Sequence, residues 1–196
     1  ILWQILGGTT TGFEQLSQTW STPVKTKIQV GSTITDVLVF AGGYDPAQDA
    51  LNLSTSVNKA DTLGNALYIV NAKTGALIWS ASANTAYAHT LTLPKMKYSM
   101  PAPVKVIDIQ KSSSGVLIAD PNKLADQIFA TDTGGQVWRF YINNGNPKSS
   151  LVTPGGSSSD GIFASIAGTT PGSARKFYNE PDVAILNVNG TKTLTV

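Results

Sequence analysis

The chain has no cysteine and a single histidine, His89, among its 196 residues. Without cysteine there are no disulfides, thiolate metal centres or cysteine nucleophiles. A lone histidine has no second histidine or cysteine to complete a zinc site, so His89 is expected to serve a loop or surface role in Asn-Thr-Ala-Tyr-Ala-His-Thr-Leu (84–91). It is also the only possible base for a Ser-His-Asp triad, and no Gly-x-Ser-x-Gly elbow accompanies it. Charge is scarce too: Asp, Glu, Lys and Arg make up 13% of residues and the net charge is +2. No basic cluster gathers on one stretch, which argues against a nucleic-acid face. Disorder needs few apolar residues and high net charge, and 41% of this chain is hydrophobic. No apolar run is long enough for a transmembrane helix, and none is expected to be a leader.

The sequence is instead rich in turn formers, with 18 glycines and 10 prolines among many Ser and Thr residues. That mixture fits short strands joined by turns. The chain opens on Ile-Leu-Trp-Gln and closes on Thr-Leu-Thr-Val, both strand-like, so it is expected to be part of a longer polypeptide. Helix signals are few: one turn over Gly12–Gln18 and a short loop helix over Asp45–Leu53.

Three segments repeat one pattern: WSTPVKTKI from Trp20, YSMPAPVKVIDI from Tyr98 and YNEPDVAILNV from Tyr178. Each runs aromatic, Ser or Asn, any residue, Pro, then an apolar strand. The prolines Pro23, Pro101 and Pro181 stand 78 and 80 residues apart. Proline lacks a ladder donor, so these strands are expected to be edge or first strands. A second series interleaves with the first. GNALYIVNAKTGALIWS ends near Trp79, Trp3 stands 76 residues earlier, and FATDTGGQVWRFYI places Trp138 in a related Thr-Gly setting. Gly75 supplies the positive φ that such a turn needs.

In the first unit the strands read Trp20–Val30, Asp36–Gly42, Asn65–Asn71 and Ala76–Ala81. Four antiparallel strands per repeat predict a β-propeller blade, with the tryptophans packed between blades. A repeat of this length exceeds the ~40–50 residues of a common blade. The surplus falls in the loops Tyr44–Leu63, Gln110–Ala119 and Asn143–Gly172. The units span 1–81, then 82–142 with the long loop 143–172, then 173–196, all in one domain. The expected fold is therefore an all-β propeller of about two and a half blades, part of a ring of ~4–8.

One loop carries candidate chemistry. In DPNKLADQIFATDTGGQVWRF (120–140), Asp120, Asn122 and Asp126 fall at positions 1, 3 and 7, and the Leu124 carbonyl fills position 5. Oxygen donors at alternate positions can wrap a hard cation such as calcium. Asp108, ending the apolar strand Val104–Ile109, can approach from the other side, with Gln110 a weaker candidate. The same residues also suit a plain polar turn, since Asp-Pro-Asn is a common turn former. Pro121 and Lys123 favour that reading.

The chain resembles the C-terminal propeller of the PilY/PilC type IV pilus tip adhesins. The residues that carry the resemblance are TWSTPV (19–24), VFAGGYDP (39–46), GNALYIVNAKTGALIWS (64–80), MKYSMPAPVKVIDI (96–109), ADQIFATDTGGQVWRF (125–140) and RKFYNEPDV (175–183). They run in order over most of the chain, and GGQVWRF behind an acidic loop is the most specific. In that family a strand ending Val-Ile-Asp leads into a calcium loop close to D-x-[DN]-x-D-G-x-x-D. By that resemblance Asp108 takes its first position and Asp126 its last, with Asp120 at the third. Asn122 stands where the central Asp usually does, and Lys123 replaces the usual Gly. An insertion over Gln110–Ala119 separates the two ends.

The resemblance implies a non-enzymatic protein exported through the outer membrane to the cell surface. It would act at the pilus tip with minor pilins, supporting pilus extension, twitching motility and attachment to host cells or surfaces. Two other readings fit the residues. A pyrroloquinoline-quinone dehydrogenase propeller also carries Thr-Gly-x-x-x-Trp repeats and calcium, but needs a complete ring and shows an adjacent-cysteine signature. A metal-free scaffold that binds a partner protein is the third. Asp45, Asp49 and Asp61 form a further acidic stretch, expected to be a polar excursion rather than a second cation site. The pairs Gly42-Gly43 and Gly134-Gly135 read as turns, since no helix follows them to make a phosphate cradle.

Overall fold

The structure, a computed structural model, describes residues 1–52, 54–111, 117–119 and 121–196. The described residues are all-β, with short 3-10 turns as their only helical elements. Sheet 1 contains β1 (Val24–Val30), β2 (Thr33–Ala41), β3 (Ala66–Asn71), β4 (Leu77–Ser82) and β5 (Leu91–Thr92), in that spatial order. β1 to β4 form an antiparallel meander, and the short β5 runs parallel to β4. The four strands expected in the first unit are therefore present, each within a few residues of its expected bounds.

β3 shows why this sheet needs two covers. Leu67 and Ile69 point into a core shared with the second sheet, while Ala66, Tyr68 and Val70 point the opposite way. All five are fully buried, so the strand reads as an unbroken apolar run rather than an alternation. The second cover is the N-terminal segment: Phe13 packs on Phe40 and Tyr68, with Trp3, Ile5 and Leu16 beside it. Gly12–Gln18 makes open turns there, not the helical turn expected. The excursion from β2 to β3 does hold the short helix expected, a 3-10 turn at Pro46–Ala50 capped by the Asp45 side chain. Asp45 accepts from Ala47 N at 2.9 Å, and Pro46 stands where no backbone donor is needed.

The second unit departs from the plan of the first. The expected strand Val104–Ile109 is split at Asp108 into β6 (Lys105–Ile107) and β7 (Ile109–Lys111). β7 pairs with β8 (Leu117–Ala119), so both ends of the expected loop Gln110–Ala119 are strand, while its middle lies outside the described residues. β6 pairs directly with β9 (Gln127–Thr131), which pairs with β10 (Gln136–Ile142). The expected loop Asn143–Gly172 supplies two further strands, β11 (Val152–Pro154) and β12 (Ile162–Ser165), both antiparallel to β10. Sheet 2 thus runs β11-β10-β9-β6, with β12 continuing the outer side of β10. The apolar residues of Val152 and Ile162 were hidden among Gly, Ser and Pro, which masked the strand pattern. β13 (Ala184–Val188) and β14 (Thr191–Thr195) close the described chain as a largely exposed hairpin.

The two large sheets share one core. Sheet 1 contributes Ile28, Val39, Ile69 and Trp79, and sheet 2 contributes Ile128, Trp138 and Phe140. The Trp79 ring meets the edge of Phe140 at 5.7 Å, and Trp138 stacks on Phe140 at 6.3 Å. Trp79 and Trp138 occupy equivalent places: Trp79 pairs with Ile69 across sheet 1, and Trp138 with Ala130 across sheet 2. Prolines precede the leading strand in every unit, and β1 and β6 both lie at sheet edges, as proline requires. Trp20 is the exception among the tryptophans: it is 62% exposed and stacks on Tyr44 at 4.7 Å instead of entering the core.

Candidate metal loop and a buried aspartate

Ile107 and Gln127 are partners at the end of the β6–β9 ladder. Asp108 directly follows the first and Asp126 directly precedes the second, so the two carboxylates predicted to flank the loop start from the same end of one strand pair. Both residues are half-buried. The backbone of Asp126 is fixed on two sides: its N–H donates to Ile107 O at 2.9 Å, and its carbonyl accepts from Ile142 N at 2.7 Å. Ala125 N donates to Lys27 O at 2.9 Å, and Asn144 Nδ2 donates to Ala125 O at 2.9 Å, tying the loop exit to sheet 1 and to the end of β10.

Upstream, Asn122 Oδ1 accepts from Leu124 N at 2.7 Å, an Asx turn that closes over Lys123. Lys123 takes φ 59°, in the left-handed region. Glycine adopts that region without strain and a lysine does not. The position where the resembling family has Gly is therefore one whose backbone favours Gly. Leu124 is itself buried, anchoring the turn. Asp120, the remaining predicted ligand, lies outside the described residues. Among the described residues no three His, Cys, Asp or Glu side chains converge into a metal-binding group. The residues present supply hard oxygen donors, the donor type that calcium takes.

The acidic excursion 44–63 is stapled by its own chain. Asp45 is buried and accepts from Ala47 N, Thr62 N and Leu63 N. Burial opposes ionisation there, yet these donors hold its carboxyl below the usual carboxylate range. Asp61 accepts from Gln48 Nε2, from Ser99 N at 2.6 Å and from Thr133 Oγ1 at 3.2 Å. It thereby joins the excursion to the Tyr98–Pro101 segment and to the turn after β9. Its polar atoms are occupied by the protein, in line with a polar excursion. His89 lies in a loop, 3.3 Å through Nδ1 from Ser80 Oγ, and burial depresses its pKa.

Sequence reasoning missed Asp132, the most deeply buried carboxylate among the described residues. It is fully buried in the turn between β9 and β10. Its Oδ1 accepts from Gly134 N and Gln136 N, each at 2.9 Å, and its Oδ2 accepts from the Trp138 indole Nε1 at 2.7 Å. Turning the Gln136 amide brings its nitrogen within 2.8 Å of the same oxygen. Burial pushes the carboxyl up to about 7, against the pull of these N–H donors. The first unit has a neutral counterpart in Asn71, whose Oδ1 accepts from Lys73 N and Thr74 N. An Asx residue ahead of a Thr-Gly turn, with a Trp beyond it, occurs in both units and marks the turn, though not its burial.

Aromatic lids close both turns. The Trp3 indole lies on Gly75, where a Cβ would sit 2.7 Å from its ring, and its Nε1 donates to Ala72 O at 3.1 Å. Tyr98 covers Gly134 in the same way.

The fold and the site together define an all-β chain of repeated sheet units, each with an Asx-Gly turn sealed by an aromatic ring. No family model matches the sequence, and no curated protein matches it. Among solved structures, the C-terminal domain of Pseudomonas aeruginosa PilY1 is similar at 16% identity and a TM-score of 0.42. That alignment covers 93% of this chain and 32% of the other, so the chain spans about a third of that structure's length.

Proposed function

We propose that the chain is part of a quinoprotein-like β-propeller, sheets 1 and 2 being blades, that works as a calcium-responsive adhesive module of a type IV pilus tip. The observation that carries this reading is the common origin of Asp108 and Asp126 at one end of the β6–β9 pair, directly ahead of the turn and strand ATDTGGQVWRF. Like charges brought to one strand end repel, and a cation between them turns repulsion into a tether. Calcium held by Asp108, Asp120, Asn122, Asp126 and the Leu124 carbonyl would supply that neutralisation and fasten the loop to both strands. The left-handed Lys123 supports a loop built on the resembling family's pattern. Binding to the folded form alone stabilises it by RT ln(1 + [L]/Kd), about 2.7 kcal/mol at a hundredfold excess over Kd. Occupancy would then couple to pilus extension and retraction, with minor pilins as partners and attachment and twitching motility as outputs. The module is read as a binding protein, exported to the cell surface, and not as an enzyme.

Calorimetric titration of calcium into chelator-stripped protein tests the reading, with Asp126→Ala alongside. Binding to the parent, lost in the variant, is expected, together with a calcium-dependent melting shift in the parent only. Equal melting shifts in both proteins, or no binding to either, would remove calcium from the proposal and leave a metal-free scaffold. Redox activity on adding quinone and calcium would replace the adhesin by a dehydrogenase.

A further inference from the structure

The outward face of sheet 2 carries two cations in one cross-strand row. Lys105 on β6 and Arg139 on β10 both pair with Phe129 of β9. The chain itself shows what Lys105 takes. Glu180 Oε1 lies 3.2 Å and Asp182 Oδ1 3.7 Å from its ammonium. From the same stretch, Phe177 and Pro181 line an apolar cavity of about 310 Å³ with Val137, Phe163 and Ile166. Residues 177–182 thus lay acidic and apolar side chains together against this face.

Among the described residues Arg139 has no such partner. Among the described residues the ion pairs are Lys95–Asp160, Lys105–Glu180 and Lys105–Asp182, and none reaches it. Its guanidinium is nevertheless held in place. The Cζ lies 4.7 Å from the Tyr141 ring centroid, 5.6 Å from Phe129 and 5.9 Å from Phe163, and Nε donates to Gln127 Oε1 at 2.9 Å. An arginine stacked among rings is a pre-organised fork for a carboxylate. Phe163 belongs both to this cage and to the cavity wall. It is 38% exposed, as is Tyr141, and Ile166 on the cavity rim is 57% exposed.

We propose that this face is a docking surface for an extended segment of a partner protein that carries an acidic residue and an apolar residue two positions apart. The carboxylate takes the Arg139 fork, and the apolar side chain, on the same side of the segment, enters the cavity beside Phe163. Residues i and i+2 of an extended chain lie about 6.6 Å apart on one side, which suits neighbouring subsites sharing a ring. Charge complementarity and the chain's own seated segment favour this occupant, independently of calcium.

The test is fluorescence anisotropy of the whole chain with a labelled, capped decapeptide repeating Glu-Ser-Val-Ser, which sets glutamate and valine two positions apart on one side. The controls are the same peptide with glutamine for glutamate and a single-stranded oligonucleotide of equal charge. The glutamate peptide is expected to bind, at least about tenfold tighter than the glutamine peptide. Arg139→Lys keeps the charge and removes the fork, so it should weaken binding about tenfold with the melting temperature unchanged. Ile166→Asp, at an exposed rim position, should weaken it as well and guards against a fold defect in the arginine variant. Equal affinity for both peptides, or indifference to Arg139→Lys and Ile166→Asp, would overturn the proposal. So would no binding, equally tight oligonucleotide binding through Arg139, or self-association of the chain that protects this face.

Discussion

Asp132 offers the sharpest test of the physical account. Replacing it by Ala removes the acceptor for three buried donors: Gly134 N, Gln136 N and the Trp138 indole N–H. Each orphaned donor costs about 1–3 kcal/mol, and some relaxation is unavoidable, so a loss of about 3–6 kcal/mol is expected. That is a large part of the ~5–15 kcal/mol that holds a typical domain. Urea unfolding followed by tryptophan fluorescence measures it directly, because Trp138 is both reporter and partner. A loss below about 1 kcal/mol would mean that water replaces the carboxylate and that the turn does not depend on it.

The pH dependence follows from the same residue. Its native pKa is about 7 and its unfolded reference 3.8. Between these values the folded chain holds a proton that the unfolded chain has released. Stability from this group is therefore fully present below pH 3.8 and declines as pH rises toward 7, by at most about 1.4 kcal/mol per unit. Asp132→Asn cannot titrate, so the difference between parent and variant curves isolates the effect. A difference curve that rises with pH over this window would show that the N–H donors outweigh burial.

Two further outcomes are expected. Gly75→Val places a β-branched side chain at φ 73° and against the Trp3 ring, so it should cost about 2 kcal/mol or more and shift the tryptophan emission; an unchanged melting curve would remove Trp3 from its lid role. Lys123→Gly relieves a left-handed residue and should raise stability by up to about 1 kcal/mol, read as a higher urea midpoint; a loss of stability would show that the lysine side chain holds the loop.

Sheet 1 was legible because its residues obey local rules. Proline opens β1, apolar runs mark β2 and β3, and the Gly75 turn sets the return. The helical turn after Asp45 was visible from Asp-Pro alone. Sheet 2 was legible in β6, β9 and β10. The strands on its other side, β11 and β12, are short and set among turn formers, and they form because β10 offers a free edge with Trp138 and Phe140 behind it. That edge is a tertiary fact with no local signal. The candidate loop 120–126 was readable from its residue spacing, and the structure adds that Asp108 and Asp126 leave from one strand end. The Asp132 bonds needed burial to be seen, since Asp before Thr-Gly reads equally well as an exposed turn. Trp20 was misjudged because its repeat position suggested packing, whereas Tyr44 holds it at the surface.

The two-sided burial of sheet 1 binds the fate of the two sheets together. One of its apolar faces is closed by residues that precede it in the chain, and the other is closed by sheet 2. The return from β2 to β3 crosses the excursion 42–65, so sheet 1 is no more local in its pairing than sheet 2, whose β6 reaches β9 across 108–126. Neither sheet buries its inner apolar side alone. The two are therefore expected to melt in one cooperative transition, with tryptophan fluorescence and circular dichroism reporting the same midpoint.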